Sequence, residues 1–238
     1  MSVTSLLMQA KVSGMLSLIP KSALQFKGIS DFNDLLSVLG FYAVNNVIYM
    51  MVLGSVYSIV LGSGIILKEE YNRTAEYLIT RPMTRSEIFL SKLAVLNLNI
   101  FLLNLLTSAA GLIFIELVKT GPFSLSAFFI LSLYTLLLNI LFGAAGLFLS
   151  VLVRRPKPIT FQCIGLVLIL YFVYNISKIS VNASIIGYLS PFRYVDIDVV
   201  DQAYHLDYLR LLYFAGISAL LVFLSLVIYK RKDIYIYI

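Results

Sequence analysis

The sequence predicts an all-α, polytopic membrane protein with about five transmembrane helices. Three observations carry that expectation. The 238 residues are 60% hydrophobic and 13% charged, with a mean hydropathy of +0.94. The apolar residues form long unbroken blocks, not the stripes every three or four residues that a water-exposed helix needs. The basic residues collect in the short intervals between those blocks. For a net charge of +6, that placement points to membrane topology rather than to nucleic acid.

Five blocks are candidates to cross a bilayer: 35–67, 93–118, 123–153, 159–176 and 209–229. About 20 residues at 1.5 Å each cross the hydrocarbon core. The first and third blocks exceed that length and are expected to tilt or to extend beyond the lipid. The fourth is at the short limit. Residues 5–19 are moderately apolar, but Lys11 interrupts them and no small-residue cleavage site follows, so no cleavable signal peptide is expected. The single cysteine, Cys163, lies inside an apolar block and reads as a small buried hydrophobe. Tryptophan is absent, and the 16 tyrosines can supply interfacial belts in its place.

The intervals set the orientation. Lys68, Arg73, Arg81, Arg85 and Lys92 lie between spans one and two. Arg154, Arg155 and Lys157 lie between spans three and four, and Lys230, Arg231 and Lys232 follow span five. With alternating spans, these eleven basic residues share one side. The other side receives Lys119, Lys178, Arg193 and Arg210, together with Lys11, Lys21 and Lys27 ahead of span one. The positive-inside bias then predicts a multi-pass protein with its C-terminus in the cytoplasm and its N-terminus outside. The chain divides into an external segment, 1–34, and one membrane domain, 35–238, with a long external loop over 177–208.

The most informative stretch is residues 68–92. Glu69, Glu70, Arg73 and Glu76 recur at near three- and four-residue spacing and would share one side of a helix. Pro82 ends that helix near Arg81, giving a short amphipathic helix over about 69–81. Thr84-Arg85-Ser86-Glu87 then has the form of a capping box, so a new helix is expected to start at Thr84 and run into span two. On physics alone two readings stay open. The amphipathic helix could rest on anionic lipid. It could also be a docking element that passes force from a cytoplasmic partner into two spans.

The run resembles the signature of ABC-2 type permeases, the membrane subunits of one class of ATP-driven exporters. The resemblance rests on Glu69-Glu70, Thr74-Ala75-Glu76-Tyr77-Leu78, Pro82-Met83-Thr84-Arg85 and Lys92, in that order. Ser190-Pro191-Phe192-Arg193-Tyr194 is similar to the family's element before its last span, and Tyr229-Lys230-Arg231-Lys232-Asp233 to its basic close. Arg73 stands where the family usually has glycine, and the chain shows five spans where the family has six. Residues 1–34 look like the family's first external loop without the span that precedes it.

The resemblance implies a transmembrane permease domain over 35–238 and a coupling helix over about 69–81. It implies export driven by ATP that a separate cytoplasmic subunit hydrolyses. Glu69, Glu70, Arg73, Glu76 and Arg85 would dock that ATPase. The partners it implies are the ATPase subunits, a second permease copy or homologue, and the bilayer. No cofactor is expected in this chain, since ATP and magnesium would sit on the ATPase. A different class of function is a non-transporting membrane scaffold or immunity-type subunit that only binds partners.

No catalytic or metal-binding residues are expected. GxxxxGK[ST], HExxH and GxSxG are absent from the sequence. Intramembrane CAAX-type proteases need Glu-Glu-x-x-x-Arg and two histidines, whereas Glu69-Glu70-Tyr71-Asn72-Arg73 is one residue short and His205 is the one histidine. Asp196, Asp198 and Asp201 read as a solvated acidic face, with cation binding as the alternative. Asn45, Asn46, Asn97, Asn99, Asn104 and Asn139 are the notable polar residues of the spans. Each needs a partner away from lipid. Helix–helix hydrogen bonding is one role for them. For Asn45, Asn46, Asn97 and Asn104 a polar lining of a substrate path is the other.

Overall fold

The computed structural model describes residues 48–67, 84–118, 124–153, 156–179, 185–195 and 206–231. Five α-helices account for most of them: α1 Ile48–Ile65, α2 Arg85–Val118, α3 Leu125–Leu152, α4 Pro156–Ile179 and α5 Tyr208–Arg231. Two 3₁₀ turns, Ile186–Leu189 and Pro191–Tyr194, lie between α4 and α5. No strand occurs among the described residues. The protein is an all-α membrane protein. Four helices, α2 to α5, are long and apolar enough to cross a bilayer, and α1 is a shorter apolar helix of 18 residues.

α2, α4 and α5 run past the apolar blocks that mark them, whereas α3 stays within its block. α2 has 34 residues and starts at Arg85, well before the uninterrupted apolar run. At 1.5 Å per residue it is about 51 Å long, against a hydrocarbon core of about 30 Å. Its start explains the extra length. The Glu87 backbone N–H donates to Thr84 Oγ1 at 3.3 Å, and the Thr84 N–H donates to Glu87 Oε2 at 2.8 Å. This reciprocal box satisfies two N–H groups that a helix start otherwise leaves open. α3 is opened by Ser124, whose hydroxyl accepts from the Ala127 N–H. The amphipathic helix expected over 69–81 lies outside the described residues.

α3 is the centre of the bundle. Half of its apolar window is buried inside the protein, against 22% for α2, 28% for α4 and 17% for α5. α1 makes its main contact with α3, α5 and α2 also pack on α3, and α4 packs on α1. The protein has a near end, where α1, α3 and α5 finish and α2 and α4 begin, and an opposite far end.

In lipid the hydrophobic effect does not draw helices together, so close packing and polar contacts must hold them. Glycine supplies the close packing here. A Cβ on Gly62 would collide with the Gly143 carbonyl oxygen, and one on Gly146 with the Ile59 carbonyl oxygen. The α1 and α3 backbones therefore touch at two successive levels. Around this seam, Met51 and Ile59 meet Leu131, Leu138 and Phe142, with Cys163 and Val167 of α4 closing the cluster. A second cluster fills the near end, where Ile66, Phe89, Leu96, Ile100, Leu147 and Val151 pack with Leu226 and Tyr229. Leu98, Phe101, Phe114, Phe161, Ile169 and Phe223 face outward. Lipid accommodates these residues, whereas in water they would form an aggregating patch.

Gly146→Leu is expected to force α1 off α3, cost about 1–3 kcal/mol or more, and lower the thermal midpoint in detergent. Gly165, where a Cβ would meet nothing within 4 Å, is the control: Gly165→Ala leaves that midpoint in place. Fluorescence-detected size-exclusion chromatography after heating measures both.

Candidate functional site

The central feature is a buried hydrogen-bonded chain across three helices. Asn139 of α3 is fully buried, Asn104 of α2 is 5% exposed, and Ser55 of α1 is fully buried. Ser55 Oγ donates to Asn139 Oδ1 at 3.4 Å, and Asn139 Nδ2 donates to Asn104 Oδ1 at 3.3 Å. Asn104 Nδ2 donates back to the Ile100 carbonyl at 2.8 Å. Gly54 makes the room, because a Cβ there would lie 2.7 Å from Asn139 Nδ2. One amide thus connects α1 to α2 through α3. Ser58, one turn along α1, is also buried, and its hydroxyl has no partner among the described residues.

The sequence-predicted residues divide in two. Glu69, Glu70, Arg73, Glu76, Asn45 and Asn46 lie outside the described residues. Arg85 is exposed at the start of α2, and its guanidinium donates to the Lys230 carbonyl at the end of α5 over 3.4 Å. Asn97 is half-buried on α2. Asn104 is enclosed, with its amide engaged by Ile100 and Asn139. Asn99 donates to the Val95 carbonyl of its own helix.

The sequence marks Asn139 as an amide in need of a partner away from lipid, and helix–helix bonding supplies it; Ser55 was passed over. An asparagine in the middle of the span that also carries Gly143 and Gly146 was the available signal, since the tightest helix is where an amide finds cross-helix partners. Ser55 carried no comparable signal, because a serine in a span ordinarily bonds its own backbone, as Ser225 does to Leu221.

The Ser190-Pro191-Phe192-Arg193-Tyr194 run folds into the bundle. Ser190 Oγ donates to the Leu170 carbonyl at 2.8 Å, about 14 Å below the end of α4 at 1.5 Å per residue. Phe192 is fully buried, with ring centroids 5.3 Å from Phe142, 5.5 Å from Tyr171 and 6.5 Å from Tyr174. Tyr194 stacks on Tyr213 of α5 at 4.0 Å. The Asp207 N–H donates to the buried Tyr134 hydroxyl at 2.9 Å, and Asp207 Oδ1 accepts from Leu209 N at the start of α5. Asp207 also pairs with Arg210 at 3.2 Å. α5 is thereby fixed to α3 at the far end.

The site is a set of joints between helices. Among the described residues, no three His, Cys, Asp or Glu side chains gather as a metal site. Residues 6–234 match the family model described as an ABC-2 family transporter protein. Neither a curated protein nor a solved structure matches the chain.

Asn104→Ala and Asn139→Ala are each expected to lower stability by about 1 kcal/mol, with a coupling of about 0.6–1.7 kcal/mol when combined. Reversible unfolding in mixed micelles measures all four proteins of the cycle. Simple additivity would show that the two amides do not share a bond.

Proposed function

The chain belongs to the ABC-2 transporter family, and on that footing we propose that it is the permease subunit of an ATP-binding-cassette exporter. The match over residues 6–234 carries the reading, and five apolar helices with α3 at their centre supply the membrane body it requires. The protein is a multi-pass membrane permease component. The near end is assigned to the cytoplasm, because the basic residues collect there by sequence. The N-terminus then lies outside and the C-terminus inside.

Two cytoplasmic ATPase subunits and a second permease copy complete the transporter in this reading. ATP and magnesium are held by the ATPase, and this chain contributes no cofactor site. Glu69, Glu70, Arg73, Glu76 and Arg85 form the docking segment. Closure of the ATPase pair presses on it and moves α1 and α2, the helices on either side. α2 suits that task because one uninterrupted helix, capped at Thr84, carries a displacement of its first turn along about 51 Å. Cargo leaves along a path lined by Asn45, Asn46, Asn97 and Asn104. Asn104 reaches that path when its bond to Asn139 opens.

Replacing Glu69 and Glu70 together with Ala is expected to reduce recovery of the ATPase in pull-down at least several-fold. The permease still reaches the membrane in normal amount. Unchanged recovery removes the docking role. A wild-type preparation that binds no ATPase at all favours a scaffold instead.

A further inference from the structure

We propose that Phe89 and Tyr229 are positioning residues that join the start of α2 to the end of α5, so that force on the docking segment reaches α5 as well as α1 and α2. The proposal rests on the coupling reading above and adds a helix to it. Phe89 is fully buried one turn into α2, and its ring lies 5.7 Å from Tyr229 at a 40° tilt. Leu226 and Val222 of α5 pack against the same cluster, which also holds Leu147 and Val151 of α3.

A polar contact seals the joint. The last carbonyls of a helix lack intrahelical donors and carry its negative dipole end. Arg85 supplies a cationic donor from another helix to the Lys230 carbonyl, 3.4 Å away. The reciprocal Thr84–Glu87 box holds the first turn of α2 in helical form. Arg85 and Phe89 are four residues apart and so sit on one side of that turn. The turn therefore grips α5 with one ring and one guanidinium, where the docking segment runs into α2.

The outer face of α5 is open: its apolar window is 17% buried, and a Cβ on Gly216, near its middle, would enter open space. Its inner face packs on α3, with Phe214, Ser218 and Ser225 buried.

The test uses the whole transporter, purified with its ATPase in lipid nanodiscs. Spin labels are placed through Gly165→Cys and Gly216→Cys with Cys163→Ser. A Cβ at either glycine would meet nothing within 4 Å, so the labels displace no neighbour. The α4–α5 distance is read by pulsed electron resonance before and after trapping with ADP–vanadate. The parent is expected to shift on trapping, and Tyr229→Ala to lose the shift while still binding ATPase. Tyr229→Phe, which keeps the ring, is expected to restore it. Tyr229 is only partly buried, so its removal spares the core that Phe89→Ala would breach.

A full shift in Tyr229→Ala overturns the joint, and so does a parent that shows no shift. Loss of ATPase binding in Tyr229→Ala with binding intact in Tyr229→Phe also overturns it, because Tyr229 would then be a docking residue. Absence of ATPase from the parent preparation overturns the coupling reading itself.

Discussion

The contact between the α1 and α3 backbones governs the rest of the bundle. Lipid is as apolar as leucine, so burying more leucine adds little to helix association in a membrane. What remains is dispersion at close range and hydrogen bonds that lipid cannot offer. Both need short interaxial distances. Gly62 and Gly146 allow that approach, since each lies against a carbonyl of the opposite helix. The amide of Asn139 spans from Ser55 to Asn104 only because Gly54 leaves it a slot. Any side chain at those glycines would widen the seam and open bonds already 3.3 and 3.4 Å long.

One consequence is an uneven distribution of packing. α3 gives half of its apolar window to neighbours, and α5 gives 17%. A bundle built this way is packed most densely at its centre and most openly on its outer faces. The polar ties follow the same division: the buried chain through Asn139 holds the centre, while α5 is held near its ends by Tyr134 and Asp207 at one and by Phe89 and Arg85 at the other.

The apolar spans were legible in the sequence because the membrane imposes a local rule, a long run of residues without charge. The start of α2 was legible for the same reason. A capping box is contained in four consecutive residues, and Thr84 and Glu87 form it in the structure. Helix ends were harder to read. Composition marks where lipid begins, whereas hydrogen bonding continues into polar flanks, as from Arg85 to the apolar run of α2. The joints were not legible. Asn139 meets Ser55 across 84 positions of sequence, and Arg85 meets Lys230 across 145. Phe192 read as one residue of a motif before the last span, yet its ring is enclosed by Phe142, Tyr171 and Tyr174. Such contacts depend on which faces the bundle brings together, and near-uniformly apolar helices carry little periodic signal to say so.

The two end-joints of α5 differ in kind, and the difference bears on how the helix can move. At the far end a backbone N–H bonds to a buried tyrosine hydroxyl, Asp207 caps the helix, and two tyrosine rings stack at 4.0 Å. A hydrogen bond in a low-dielectric setting is directional and costly to leave unmade, so this end behaves as a pivot. The near-end join includes a tilted ring pair and a long, exposed hydrogen bond of 3.4 Å. Ring contacts of this kind tolerate a change of angle, being worth about 0.5–1.5 kcal/mol over a range of geometries. A helix held by directional bonds at one end and by ring contacts at the other converts a push at the ring-contact end into a tilt. The α2 turn at this end has a closed cap and a fully buried Phe89. In the proposed coupling, motion entering at the docking segment reaches α5 through this turn.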